Sequence, residues 1–301
     1  MKRIVIFILS LLMMMCLLTG CGSGDTTNDK TPTEPVASDD TDAEQEESKQ
    51  KSAVISVDEQ VIFDSCGVTA TLKSYDDSAL FGPEFKILVE NNSDKSIYFQ
   101  CEDIVVNGYN VTDLLSIEVA PGKKANGELT IMSSDLENCG IGIIKDVKAK
   151  YYLLDADSWN RIGEDVEYEF STVGSESYEQ VYDDSGFVAV DQNDVKVVVK
   201  KLNSSDSFWG ADIYVYIENN TDRDIYVQCD ESSIDGFMMT SYFSAFVSSG
   251  CKTVSTITLM ESELEENDIT DIQEFETTFY ALDANSWNRI FETDPVTISF
   301  N

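Results

Sequence analysis

No histidine occurs anywhere in the 301 residues. That removes the commonest general base and the commonest transition-metal ligand, and neither a Ser-His-Asp nor a Cys-His site can be assembled within the chain. Positive charge is scarce too: 20 Lys and Arg stand against 56 Asp and Glu, for a formal net charge of −36. Such a chain is a poor partner for nucleic acid, whose phosphates need Lys and Arg, and does not lie flat on anionic lipid. The plain use of the excess is solubility and self-repulsion at a crowded surface; the functional use is attraction of cations or a basic partner. No glycine-rich phosphate cradle is present. Carboxylate-only hydrolysis stays formally open, but it needs two carboxyls about 5–9 Å apart in a cleft, and with so many acids no pair is singled out by sequence. The chain is therefore expected to be no enzyme, with no catalytic residue and no cofactor.

What is present begins with a leader. Met1-Lys2-Arg3 is a short positive head, and the apolar run Ile4 to Leu18 is too short for a comfortable membrane span but suits a secretory core. It ends in Leu18-Thr19-Gly20-Cys21, which resembles the bacterial lipobox. That resemblance implies that residues 1–20 are a signal peptide and that Cys21 carries a diacylglycerol anchor. The chain would then sit on the extracellular face of the cytoplasmic membrane, in the bacterial cell envelope. Residues 21–53 are rich in Thr, Ser, Asp, Glu and Pro with almost no large apolar side chain. They cannot offset their ordering entropy and are expected to form a disordered stalk, with a reach of roughly 30 Å. Beyond Cys16 and Cys21, five cysteines remain: Cys66, Cys101, Cys139, Cys229 and Cys251. An odd number cannot pair fully, and free, partly buried thiols are expected, with a Cys229–Cys251 disulfide the alternative.

The remainder is one unit written twice. Glu90-Asn91-Asn92-Ser93-Asp94 recurs as Glu218-Asn219-Asn220-Thr221-Asp222, Ile97-Tyr98-Phe99-Gln100-Cys101 as Ile225-Tyr226-Val227-Gln228-Cys229, and Asp155 to Ile162 as Asp283 to Ile290, all at an offset of 128 residues (287 − 159 = 128). Upstream the offset is 127, as in Val68 against Val195. A constant offset means tandem duplication of a domain rather than a solenoid. Each copy alternates with period two. Phe85, Ile87 and Val89 share one face, as do Ile213, Val215 and Ile217, with Asp212, Tyr214, Tyr216 and Glu218 on the other. Seven or eight short strands in about 115 residues predict an all-β fold of two tandem immunoglobulin-like Greek-key sandwiches, residues 54–173 and 178–301, after the stalk. A helical turn is predicted at Ser133 to Asn138, with Ser134 as cap and Glu137 closing the box. Asn91 to Asp94 is read as a turn tolerant of left-handed backbone. The short polar spacer from about Thr172 to Ser185 should restrict how the halves swing.

Few constellations carry chemistry. Asp155-Ala156-Asp157-Ser158-Trp159-Asn160 begins like an EF-hand loop but lacks its glycine and its closing glutamate. Asp155, Asp157 and Asp283 are thus weak calcium candidates, and a hairpin turn with local Asx hydrogen bonds is the expectation. Trp159 and Trp287 sit in these turns. They would stack on a sugar ring or a partner's side chain, fold back as a lid, or fill an inter-domain contact, and packing is the simpler expectation. Phe237, Met238, Met239, Tyr242 and Phe243 form the most apolar irregular stretch, suited to adaptable partner binding, with an edge strand closing the core as the alternative; Trp209 is read the same way.

Val61-Ile62-Phe63-Asp64, Glu90 to Asp94, Val106-Asn107-Gly108-Tyr109 and Ala120-Pro121-Gly122-Lys123-Lys124 together resemble secreted or lipid-anchored Ig-like domains of Gram-positive gut-type bacteria, broadly similar to immunoprotective-antigen-like sandwiches of unknown function. The resemblance spans both repeats and implies an extracellular sandwich with no assigned activity. The second copy departs from it, with Asp235 at the place of Asn107 and Ser249-Gly250 replacing Pro-Gly. The expectation is a non-enzymatic surface module, held to the membrane by its lipid, that binds a glycan or a protein and not nucleic acid. The alternative is a structural or assembly lipoprotein packing against a neighbouring envelope protein.

Overall fold

The computed structural model describes residues 55–204 and 207–300; the leader, Cys21 and the stalk lie outside the described residues. The first repeat runs β1 (Gln60–Ser65), β2 (Val68–Asp76), β3 (Glu84–Asn91), β4 (Ile97–Val106), β5 (Tyr109–Asn110), β6 (Asp113–Leu114), β7 (Ser116–Val119), β8 (Lys123–Ile131), α1 (Ser133–Asn138), β9 (Asp146–Asp155) and β10 (Arg161–Ser171). The second runs β11 (Phe187–Gln192), β12 (Val195–Asn203), β13 (Gly210–Asn219), β14 (Ile225–Ile234), β15 (Phe237–Met238), β16 (Ser241–Tyr242), β17 (Ser244–Val247), β18 (Lys252–Met260), α2 (Glu261–Glu266), β19 (Glu274–Asp283), β20 (Arg289–Glu292) and β21 (Val296–Ser299). Nearly all regular structure is thus antiparallel β. Short two-residue strands that carry no periodic signal raise the strand number above the seven or eight expected per repeat.

In the first repeat, the sheet β1-β2-β3-β8-β6 faces β10-β9-β4, the latter flanked by β5 and β7. The period of two is obeyed: Phe85, Ile87 and Val89 of β3 and Ile97 and Phe99 of β4 are buried. Across the layer, Phe63 meets Phe99 at 5.4 Å and Phe85 meets Phe170 at 5.1 Å, both edge-to-face. The second repeat repeats this order, with β11-β12-β13-β18 on one side and β15-β14-β19-β20 on the other.

The turn signals act differently from their expected roles. Asn91 does not adopt left-handed backbone; it is fully buried as a staple between the sheets. Its Nδ2 donates to the carbonyls of Lys95 (2.7 Å) and Val119 (2.9 Å), and its Oδ1 accepts from the Ser93 amide (2.9 Å) and hydroxyl (2.6 Å). Asn219 makes the same four bonds, to Arg223, Val247 and Thr221. Helix α1 starts from Met132 with no side-chain cap, so the predicted Ser134 box does not form. The Asp135 carboxylate instead accepts the Thr112 amide at 2.6 Å, as Glu263 of α2 accepts that of Thr240 at 2.7 Å. Asn107-Gly108 and Asp235-Gly236 both have positive φ, the requirement of a tight two-residue hairpin. Asp235 keeps the acceptor role of Asn107: each takes two amides at the start of a distant strand, Lys145 and Asp146 at β9 or Gln273 and Glu274 at β19. The Ser248–Cys251 turn closes like Ala120–Lys123 without the proline.

Residues 51–301 form one compact unit. The second sheet of repeat one continues into the first sheet of repeat two through a parallel bridge between Tyr109 and Lys252, with the Lys252 amide donating to the Gly108 carbonyl at 2.9 Å. Tyr216, expected to face solvent, is 1% exposed because it packs edge-on to Tyr109 at 6.4 Å. With Val198 it joins the first repeat's core. Asn110 and Ser248 exchange two hydrogen bonds, and the Thr253 hydroxyl donates to the Asn110 carbonyl. The spacer is tied down on both sides: Tyr182 donates to the Asn107 carbonyl and lies under the Lys252 ammonium, while Lys200 pairs with Asp183. All five described cysteines are free.

Candidate functional site

In β4, the inward turn of Ile97, Phe99 and Cys101 leaves Tyr98, Gln100 and Glu102 on the outer face. Register then sets rows across three strands. Gln100 lies opposite Ser116 of β7 on one side and Tyr152 of β9 on the other; its Nε2 donates to the Ser116 hydroxyl (3.0 Å) and its Oε1 accepts from the Tyr152 phenol (2.9 Å). Tyr98 donates to Glu118 at 3.1 Å. That bond holds its own proton and pushes the Tyr98 pKa up. The next row is charged. Arg161 pairs with Glu102 (2.5 Å) and Asp165 (2.6 Å), and its guanidinium lies 3.7 Å over the Tyr152 ring.

The 155–160 turn completes the face. The Asp155 carboxylate accepts the amides of Asp157 (3.1 Å) and Ser158 (3.0 Å) and pairs with Lys95 at 2.7 Å. The lysine first, then the amides, hold its pKa down to about 2. This is the expected Asx turn. It also commits the first candidate calcium ligand, since a cation here would have to displace Lys95; Asp283 is committed likewise to the Asn285 and Ser286 amides and to Arg223. The Trp159 amide donates back to the Asp155 carbonyl, leaving Trp159 at φ 58°. Left-handed backbone is a true outlier for so bulky a side chain, and costs roughly 1–2 kcal/mol. The indole stacks on the Tyr98 ring at 5.1 Å and 16° and stays 62% exposed. Neither a lid over the core nor an inter-repeat filler describes it.

The second repeat builds a matching face at the offset of 128, with Phe246 in the place of Glu118 and Arg289 paired with Glu292. Trp287, at φ 60° and 54% exposed, stacks on Tyr226 at 5.2 Å and 11°. Gln228 donates to the Ser244 hydroxyl (2.9 Å) and accepts from the Tyr280 phenol (2.7 Å), and Arg289 lies 4.3 Å over the Tyr280 ring. Phe246 extends the aromatic surface beside Tyr226 at 5.4 Å. Each platform therefore offers an exposed indole face, an amide fixed at both ends, and a cation over a phenol ring.

A cleft of about 390 Å³ is lined by both repeats, among others by Asp103, Asp113, Asp135, Ser244, Phe246 and Thr253. Phe246 and Ser244 belong also to the second platform, and Asp103 pairs with Lys150 beside the first. Burial pushes the Asp113 carboxyl up to about 6, and the Cys101 thiol donates to it at 3.1 Å. In the second repeat Ser241 takes this place, joined to Cys229 and Ser232.

The other expected residues scatter. Phe237, Met238 and Tyr242 are exposed on β15 and β16 of the second repeat. Met239 is buried and Phe243 packs edge-on to Phe279 at 6.5 Å, so both belong to the core rather than to a binding loop, because the short strands β15 and β16 turn those positions inward. Trp209 leans on Phe208 in the loop before β13, at 4.8 Å. The sequence reading missed Tyr98, Gln100, Tyr152 and Arg161 with their counterparts. Tyr98, Gln100 and Arg161 lie inside the repeated segments and Tyr152 just before one, and none was given a role there.

No family model matches the chain, and no curated protein matches it in sequence. Among solved structures it is similar to the crystal structure of the YadV chaperone, with 8% identity, a TM-score of 0.22, and coverage of 72% of this chain and 92% of that one. A likeness at that level bears on neither fold nor activity.

Proposed function

We propose that this chain is a non-enzymatic, lipid-anchored cell-surface protein whose two tandem immunoglobulin-like sandwiches, residues 54–173 and 178–301, bind a glycan. The stalk 21–53 lifts them from a diacylglycerol anchor on Cys21. The observation that carries this reading is the duplicated platform. Twice the chain holds a tryptophan in a costly backbone conformation, stacked on one side and open on the other, next to an amide locked by two hydroxyl partners. A strained, exposed side chain retained without core burial points to use rather than packing. An open indole face suits the apolar face of a pyranose ring, and fixed amide and hydroxyl groups suit its hydroxyls. The strongly negative chain and the acids of the cleft beside the second platform favour neutral or amino-bearing sugars over polyanionic ones. Two platforms in one compact unit allow avidity on a repeating polymer.

The test is binding of the full-length protein, in detergent, to panels of neutral, amino-bearing and anionic glycans, beside Trp159→Ala, Trp287→Ala and the double variant. Capture of neutral or amino sugars that weakens in each single variant and vanishes in the double supports the reading. Capture indifferent to both tryptophans, or confined to polyanions, removes it.

A further inference from the structure

The two repeats end in equivalent loops with opposite fates. Tyr109, at the tip of the β4–β5 hairpin, is 1% exposed because Tyr182 of the spacer and Tyr216 of the second repeat cover it; Phe237, its counterpart at 109 + 128 = 237, is 48% exposed, and Met238, the counterpart of Asn110, is 70% exposed. The uncovered hairpin is thus more apolar than the covered one.

The internal junction shows what such a hairpin docks on: the outer side of the first sheet of the next repeat, at the Lys252 end of β18. The first repeat carries that surface too. Lys124 stands at the place of Lys252, paired with Glu90 as Lys252 is with Glu218. On the far side of β8, the only strand paired among the described residues is β6, which reaches just Thr130 and Ile131. The edge at Lys124 is therefore open, where the same edge of β18 receives Tyr109.

The side chains match in kind. At the internal junction the polar Asn110 meets the polar Ser248. Transposed, Met238 would meet Ala120, which is exposed, so a polar pair becomes an apolar pair on both sides at once. Tyr109 against Tyr216 becomes Phe237 against the half-buried Leu88. Lys73 and Lys124 keep the places of Lys200 and Lys252 (200 − 127 = 73), and pair within their own repeat with Glu59 and Glu90. Thr71 and Asn126 replace Val198 and Val254, which makes this contact weaker than the covalently linked one.

We infer that the Phe237–Met238 hairpin of one copy docks on the outer β3–β8 face of the first repeat of a second copy, with Phe237 against Leu88 and Met238 against Ala120, repeating between chains the junction already present within one. The contact is heterologous, joining two different surfaces head to tail, so it builds rings where its rotation closes and filaments where it does not. It stands independently of the glycan reading.

The experiment uses the full-length chain in detergent with a photoreactive residue in place of Met238, mixed with isotopically heavy chain of natural sequence at the highest soluble concentration. Peptide mapping after irradiation separates links between copies from links within one. Light-to-heavy links from position 238 to residues 120–126, lost in Ala120→Glu at unchanged melting temperature, are the expected result. Links only within one copy, links to residues 237–243 of the other copy, links that persist in Ala120→Glu, or no links would each overturn the proposal.

Discussion

Replacing Asn91 by Ala or by Asp tests whether the buried amide, and not a turn propensity, joins the two sheets of the first repeat. Alanine deletes four hydrogen bonds at a fully buried position and strands the Val119 carbonyl, which Asn91 reaches at 2.9 Å. At a net value of about 1 kcal/mol per bond, partly offset by relaxation, the loss should be about 3 kcal/mol. Aspartate keeps the shape and the acceptor facing the Ser93 amide, but sets a second oxygen against the carbonyls of Lys95 and Val119. Its ionised form is disfavoured there, so its folded-state pKa lies above the unfolded value. With that sign the variant is most stable in acid, where a proton can be donated to one carbonyl, and loses stability as pH rises through neutrality. Urea unfolding of both variants at pH 4.5 and pH 7.5, which span the range between an ordinary Asp carboxyl at about 3.9 and neutrality, reads each outcome. An alanine variant within about 0.5 kcal/mol of the parent, the range of an ordinary surface substitution, would refute the staple. So would an aspartate variant equally stable at both pH values.

Two further outcomes follow from the site's surroundings. Asp113, raised by burial to about 6 against about 3.9 unfolded, binds its proton more tightly in the folded state. Its contribution therefore favours the fold below pH 4 and is lost as pH climbs through 6, by up to about 3 kcal/mol; the melting temperature of Asp113→Asn should lack that part of the decline, and an unchanged pH slope would remove Asp113 as its source. Burial also pushes the Cys101, Cys139 and Cys229 thiols up, while Cys66 is exposed, so native-state alkylation read by peptide mapping should mark Cys66 first and spare those three until unfolding.

Much of the scaffold was legible because strand patterning is local. Alternation in Phe85-Ile87-Val89 and Ile213-Val215-Ile217 names buried faces without knowledge of the opposite sheet, and all six are buried. Short signals were located correctly but explained wrongly. Asn91 is a long-range staple and Ser134 caps nothing, because which partner a polar side chain finds depends on segments nearly thirty residues away, such as Val119.

The candidate site was legible only in its tryptophans. Gln100 acquires meaning from Ser116 on one side and Tyr152 on the other, and register across three strands is not written in any one of them. By itself the amino-acid sequence determined an all-β chain, its duplication, which residues share a strand face and where the chain turns, since these follow from periodicity and backbone preference. Only the tertiary structure decided what covers each face. Tyr109 and Phe237 have equivalent sequence surroundings, yet one is buried and the other open, because burial belongs to the neighbour in space, and only the first repeat has another packed against its hairpin.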